Sequence, residues 1–519
     1  MRSPVFASNG IVATSQPLAA QVGLAILREG GSAVDAAIAT AVTLTVVQPG
    51  SNDIGGDLFA QVWDGERLHG INGSGRTPAA LTFEHVKAKA AEPVAALGGA
   101  QGEAELAPPA RGWTPVTVPG APAAWRDLHE RFGRLPFERL FIDAIRYAEE
   151  GFPVSPVVAA SWARAEANAP DLPETRFWKD VYGRAPKAGE IHRNPGKGRT
   201  LRLISGSHAA ELYHGEIAEV IAEFARETGG LLTKADLEAH ASEWVEPMSV
   251  GYRGYTVHEL PPNGQGFAAL EALAILDGLA DHGLHEQIEA MKLGFADAHA
   301  YVADGADMTG FLDTSYIEQR RKLIGEAAML PEPGDPMRGG TVYLAAADAD
   351  GTMVSLIQSN YMGFGAYVVL PEYGFSLQNR GAGLSLVDSH PNAAGPGKRP
   401  FHTIIPGFLS HDGQAVGPFG VMGAHMQPQG HLQVVLHTVD GHLDPQAALG
   451  RPRWYWNAGR QVFVEPELEG QDELRSRGHE LTVAPERGMF GMGQAIWRMS
   501  DNVYVAGSEP RADGQAAAW

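Results

Sequence analysis

Cysteine is absent from all 519 residues, which excludes a disulfide framework, a thiolate nucleophile and a zinc–thiolate site. Positive charge is in deficit: 40 Lys and Arg against 61 Asp and Glu leave a formal net charge of −21. Such a surface repels nucleic acid and anionic membranes, so neither is an expected partner. Long apolar runs are missing too. The stretch Ala36 to Val47 is interrupted by threonine and is too short to span a bilayer. No basic start, apolar core and small-residue cleavage pattern opens the chain, so a cytoplasmic location is expected. His-Glu-x-x-His, P-loop, strand-to-helix GxGxxG and Gly-x-Ser-x-Gly patterns are all lacking. The nineteen histidines are scattered, and Pro428 between His425 and His431 spoils a single helical face there, so no metal site is expected.

With 44% hydrophobic and 19% charged residues, the composition is that of a soluble globular protein without an internal repeat. The informative stretch is Gly339 to Asn360. Two β-prone runs flank Asp348-Ala349-Asp350-Gly351, a turn signal, and a Pro/Gly-rich segment from Gly325 to Gly340 delivers the chain to the first run. A three-residue loop with Gly351 left-handed pairs residue 348 with 352 and puts Thr341 opposite Ser359, whereas a two- or four-residue loop puts Gln358 there. A hydroxyl on the first strand residue after two glycines suits an N-terminal nucleophile. Thr341 attacks the Gly340 carbonyl, the acyl group shifts from nitrogen to oxygen, and the freed α-amine then serves as base for its own hydroxyl. Ser359 is placed to steer that hydroxyl.

Earlier in the chain, Ser15 with Pro17 and Ser32 with Asp35 mark two helix starts, the second a partial capping box. Gly50 to Asp57 is a glycine-dense turn entering a strand from Leu58 to Trp63, and Arg76 lies in the loop Gly73 to Pro78. Residues from about Glu84 to Trp113 read as an exposed insertion. Helices are expected over Pro122 to Phe132, Phe137 to Ala148, Phe267 to Asp281, Leu284 to Asp304 and Gln427 to His437, with β-rich chain between the central hairpin and Phe419. Just before the last helix, Gly423-Ala424 is a small-residue step able to turn two backbone N–H groups toward a developing oxyanion.

Taken in order, these stretches resemble the γ-glutamyltransferase family of N-terminal-nucleophile hydrolases. The resemblance is carried by Gly30 to Ala37, Ile54-Gly55-Gly56-Asp57, Arg76, Val118 to Ala121, Ala148 to Val154, the Thr341 hairpin, Gly397 to Pro400 and Ala424 to His431. It implies an α+β fold, a four-layer αββα sandwich, and a precursor cut between Gly340 and Thr341. The products would be a large chain, 1–340, and a small chain, 341–519, forming one intertwined domain; the resemblance is compatible with a dimer of such pairs and implies no cofactor. By the same resemblance Thr341 is the nucleophile and Ser359 the second hydroxyl. Gly423 and Ala424 form the oxyanion pair, Arg76 grips the substrate carboxylate, and Asn360 lies one residue from a substrate-contacting Asn.

Departures bear on substrate. His402 and Thr403 stand where familiar members have two serines. The stretch Gln378-Asn379-Arg380-Gly381-Ala382-Gly383 carries no acid for a substrate α-amine, and Arg380 would oppose an ammonium group. The segment from Gly383 to His402 is short, implying a more open site. The expected reaction is hydrolysis, favoured over transfer, of γ-glutamyl amides of the glutathione type. The alternatives are glutaryl-type amides, as in an acylase-like branch of the family, or an unprocessed homologue that only binds a carboxylated ligand.

Overall fold

The structure is a computed structural model and describes residues 2–90, 106–331, 340–484, 486–500 and 503–519. Two seven-stranded sheets dominate it. Their strands, in chain order, are β1 (Val5–Ala7), β2 (Gly10–Thr14), β3 (Asp57–Trp63), β4 (Leu68–Gly73), β5 (Glu243–Val245), β6 (Met248–Tyr252) and β7 (Tyr255–Glu259). After residue 339 come β8 (Gly340–Asp348), β9 (Met353–Tyr361), β10 (Gly407–His411), β11 (Gln414–Met422), β12 (Met492–Ser500), β13 (Val503–Ser508) and β14 (Gln515–Ala518). One sheet runs β14-β2-β8-β9-β3-β4-β5 and the other β1-β13-β12-β11-β10-β7-β6. Strands from either side of residue 340 thus intermix in both sheets.

Alternation along the strands sorts the side chains into layers. Tyr343, Ala345, Ala347, Phe59 and Ile357 pack with Phe408, Met422 and Ile496 between the sheets. Val342, Leu344, Ala346, Leu58 and Val354 point the other way, onto helices α1 (Pro17–Arg28) and α2 (Ala33–Val47). The outer face of the second sheet, with Leu409, Phe419 and Val421, is covered by α3 (Gly266–Asp277), α4 (Leu284–Tyr301) and α5 (Met426–Val439). The four layers are therefore α, β, β and α, as the resemblance implied. Helix α2 is buried at every position, which explains its near-continuous run of Ala, Val and Thr.

The central hairpin has the three-residue register. Asp348 N–H donates to Thr352 O at 3.1 Å, Gly351 is left-handed at φ 90°, and Val342 pairs with Gln358. Beyond that pair the register shifts, because Gly340 pairs with Tyr361. A β-bulge thus sets Ser359 and Asn360 together opposite Thr341.

Local expectations fare unevenly. Ser32 and Asp35 form a complete capping box, but α1 is capped by Gln16, whose Oε1 accepts from Leu18 and Ala19, while Ser15 donates to Gln48 instead. The amide side chain is long enough to fold back onto the helix start. Residues 362–406 are mostly irregular rather than β-rich, with only the pair Val369–Leu370 and Phe375–Ser376 and a short 3₁₀ turn. Their backbone groups are met by side chains instead: Met362 N–H donates to Asn379 Oδ1, and Asn392 spans Gly383 O and Phe401 N–H. In the expected insertion, Phe83–Ala88 is helical and Ala110 and Trp113 are buried; residues 91–105 lie outside the described residues, as do 332–339 of the Pro/Gly-rich segment. Pro428 falls in the first turn of α5, where a missing N–H is harmless, so the helix runs through it.

Candidate active site

The site lies where the Thr341 end of β8 faces the second sheet. Thr341, Ser359 and Asp57 occupy adjacent strands on the inner face, since Ser359 pairs directly with Asp57 and both share the parity of inward-facing Ile357 and Phe59. Thr341 Oγ1 donates to Ser359 Oγ at 3.2 Å, and Gln427 Nε2 reaches Thr341 Oγ1 at 3.4 Å. The bulge also turns the Tyr361 N–H onto Ser359 Oγ, at 2.8 Å. A proton on Thr341 is therefore steered by a neighbour that is itself fixed by backbone.

Arg380 completes this corner. It is fully buried; Nη2 lies 3.4 Å from Ser359 Oγ and Nη1 donates to Thr403 Oγ1 at 2.9 Å. Its guanidinium stacks 4.2 Å from the Tyr361 ring centroid, and Nε has no partner among the described residues. Burial lowers its pKa to about 10, with Tyr361 and Asp57 opposing the fall, so it stays cationic at neutral pH. The acid missing from its own stretch arrives from elsewhere. Asp57 accepts from Gly75 N–H at 3.0 Å, Gln378 Nε2 at 2.7 Å and His402 Nε2 at 3.1 Å. Burial pushes the Asp57 carboxyl up to about 7, against the opposing pull of Arg380, Gln378, Gly75 and Arg399. Burial, reinforced by Arg380, drives His402 well below its ordinary range and keeps it neutral. Because Ile404 N–H donates to His402 Nδ1 at 3.3 Å, the ring proton sits on Nε2 and points at Asp57.

The oxyanion step joins the same network. Gln265 Nε2 donates to Thr403 O at 2.7 Å and to Ala424 O at 2.8 Å, while Gln427 Oε1 accepts from Ile405 N–H at 3.0 Å. Gly423 has φ 136° and Ala424 φ 52°. Alanine thus holds a left-handed backbone just before α5, at a strain of order 1 kcal/mol.

Two expected residues lie apart from this cluster. The Arg76 side chain is 43% exposed and its guanidinium meets Asp304 at 2.5 Å, Gly397 O at 2.9 Å and Glu243 at 3.6 Å. Asn360, across the bulge, donates to Ser376 Oγ at 3.1 Å. The site is also more covered than the short Gly383–His402 segment implied: Ser359, Arg380 and His402 are fully buried and Thr341 is 2% exposed. Asn392 ties the two ends of that segment together, donating to Gly383 O and accepting from Phe401 N–H. Sequence reasoning passed over Asp57, Gln265, Gln378 and Gln427 as site residues. The one available signal was a carboxylate after two glycines at the head of a fully buried strand.

Two facing antiparallel sheets between helical layers, with a hydroxyl residue at the inner start of a central strand, form the sandwich of the N-terminal-nucleophile hydrolases. A family model described as Gamma-glutamyltranspeptidase matches residues 19–519. The chain is 33% identical to the "Glutathione hydrolase-like YwrD proenzyme" of Bacillus subtilis (99% of each chain) and 33% identical to the "Oxamate amidohydrolase proenzyme" of Klebsiella pneumoniae (100% of each). It superposes on a cephalosporin acylase from Bacillus halodurans with TM-score 0.93 and 50% identity, covering 100% of this chain and 97% of that one. The chain belongs to the gamma-glutamyltranspeptidase family and is an enzyme of that family.

Proposed function

We infer that this is a self-processing amidohydrolase whose acyl substrates carry a distal carboxylate but no α-ammonium group, as in glutaryl amides. The observation that carries the reading is Arg380: a buried cation, bonded among the described residues to neutral hydroxyls and an aromatic face, next to Ser359 and Thr341. Such a group attracts a carboxylate and repels an ammonium. The one acid beside it, Asp57, already accepts three hydrogen bonds. Likeness to a cephalosporin acylase at 50% identity over the whole chain supports the same reading.

In the precursor, Thr341 Oγ1 attacks the Gly340 carbonyl; the C–N bond breaks as an ester forms, and water then releases a Gly340 carboxylate and a free Thr341 amine. In turnover that amine takes the Oγ1 proton as Oγ1 attacks the substrate amide. The N–H groups of Gly423 and Ala424 hold the oxyanion, the proton passes to the leaving amine, and water cleaves the acyl-enzyme. Arg76, at the half-exposed rim, exchanges Asp304 for an arriving carboxylate. A γ-glutamyl substrate is the second reading, favoured by the glutathione hydrolase-like relative.

Intact mass spectrometry of wild type and Thr341→Ala after incubation at neutral pH tests the first step: two fragments meeting between residues 340 and 341, absent from the variant. Initial rates on glutaryl and γ-glutamyl anilides then decide the acyl group, a glutaryl preference being expected. An intact, inert wild-type chain would mark a homologue that binds without turnover.

A further inference from the structure

Asp57 takes no part in the chemistry above, yet three segments of the site converge on it. Its Oδ1 accepts from Gly75, the residue before Arg76, and from Gln378, two residues before Arg380. Its Oδ2 accepts from His402, the residue before Thr403. Each donor is thus one or two residues from Arg76, Arg380 or Thr403, and the donors come from the loop after β4 and from two places in the irregular stretch 362–406. The tethers are backed by packing. A Cβ on Gly75 would lie 1.7 Å from Val118 O, so that loop has no room to drift. Gln378 Nε2 also donates to Val118 O at 3.1 Å, and the His402 ring packs 4.7 Å from Phe59, two residues along the Asp57 strand.

We propose that Asp57 is a positioning residue for the acyl pocket: its ionised carboxylate ties together the loops that carry Arg76, Arg380 and Thr403 and so sets which acyl groups fit. This rests on the amidohydrolase reading, and it concerns binding rather than the bond-breaking step, because the Thr341–Ser359 and Gln427–Thr341 side-chain hydrogen bonds do not involve the Asp57 carboxylate. The ionised form is required. A proton on Oδ2 would confront the Nε2 proton of His402, which is held there by Ile404. The charged and titratable groups facing Asp57 are Arg380 and Arg399, which favour its ionised form, neutral His402, and the Tyr213 phenol. Burial outweighs them and places its titration near 7, so the tether is complete above neutrality and is released as pH falls through 7.

The test is the inhibition constant of glutarate, the acid product of the proposed hydrolysis, measured on cleaved wild type and Asp57→Asn at pH 8 and pH 6. At pH 8 the variant is expected to bind glutarate at least tenfold more weakly. Wild type should weaken toward the variant's value at pH 6, while the variant stays flat; the loss should fall on binding rather than on kcat or self-cleavage. The free Thr341 amine is common to both proteins, so the difference between their two pH profiles isolates Asp57. A merely electrostatic role gives the opposite sign, since removing a negative charge beside Arg380 would tighten an anion. Equal or tighter binding in Asp57→Asn, or wild-type binding that is flat with pH, overturns the proposal. Should Asp57→Asn fail to yield cleaved soluble enzyme, His402→Asn, which removes one of the three tethers, takes its place, and unchanged glutarate binding there is equally fatal. Should glutarate not inhibit wild type at all, the dicarboxylate reading fails on its own account, and KM for a γ-glutamyl anilide becomes the readout with the same expected direction.

Discussion

Ser359→Ala probes the corner where self-cleavage and turnover share parts. The Ser359 oxygen receives Thr341 Oγ1 at 3.2 Å, the Tyr361 N–H at 2.8 Å and Arg380 Nη2 at 3.4 Å, all in a fully buried place. Alanine leaves the shape nearly intact but removes the acceptor that Ser359 offers to the Tyr361 N–H and the group that orients the Thr341 proton. Losing hydrogen bonds in a buried place costs about 1–3 kcal/mol. The bulge that holds Ser359 is present before and after the cut, so part of that loss raises the barrier to N-to-O transfer and part reduces stability. Self-cleavage should slow by roughly tenfold to a hundredfold, on the conversion of about 1.4 kcal/mol per factor of ten. The assay is the fraction of cut chain against time by intact mass spectrometry, starting from protein isolated early in expression. Ser359→Thr restores the oxygen and should recover most of the rate. Cleavage of Ser359→Ala at the wild-type rate would refute the reasoning, for it would mean that Thr341 is oriented without the Ser359 oxygen that accepts its hydroxyl proton.

Three further outcomes follow from the same geometry. Ala424→Gly relieves a left-handed alanine at φ 52° but frees the unfolded chain, so stability should change by less than about 1 kcal/mol and kcat should hold within a few-fold; a large fall in kcat would show that the methyl group shapes the oxyanion pair. Lys197→Met removes the ammonium 2.8 Å from Asp53 in a place where both are buried, and the uncompensated carboxylate should cost about 3–5 kcal/mol in urea unfolding of the uncut Thr341→Ala chain. Adding Asp53→Asn should return part of that loss, and strictly additive losses would contradict the pairing. Finally, burial is the main cause that lowers His258, His299 and His437 to about 4. Their unfolded forms bind protons that the folded forms do not, so stability is full above about 6.5 and drains as pH falls toward 4. The slope approaches about 1.4 kcal/mol per pH unit for each group. Asp57, raised to about 7, works in the other direction over the same range. A urea midpoint that does not decline from pH 6.5 to 5 would count against neutral buried histidines.

Much of this molecule is written locally. The turn Asp348 to Gly351 sets the hairpin register because a left-handed glycine is allowed there, and Asp348 then accepts from Asp350, Thr352 and Ala33. Ser32 and Asp35 start α2 through reciprocal bonds to the backbone of the same turn, which the fold then reinforces, since Ser32 also donates to Phe132 O and Asp35 also accepts from Arg134 and Leu135. Periodicity gives the helices, and the ordered motifs that resemble the family give the layers. What the sequence could not decide is whatever depends on two distant segments meeting. The bulge that puts Ser359 and Asn360 side by side arises from pairing with β8 and not from either strand's own composition. Arg380, read by itself, had no acid near it; the sheet brings Asp57 from more than three hundred residues away in the chain, and burial, which no linear pattern measures, then fixes the charge state of that acid and of His402. Arg76 looked free in its loop, and only the fold supplied Asp304 and Glu243 as its competitors. Local free energies choose elements, while desolvation and long-range pairing choose the electrostatics of the site, and the second set exists only once the chain has closed on itself.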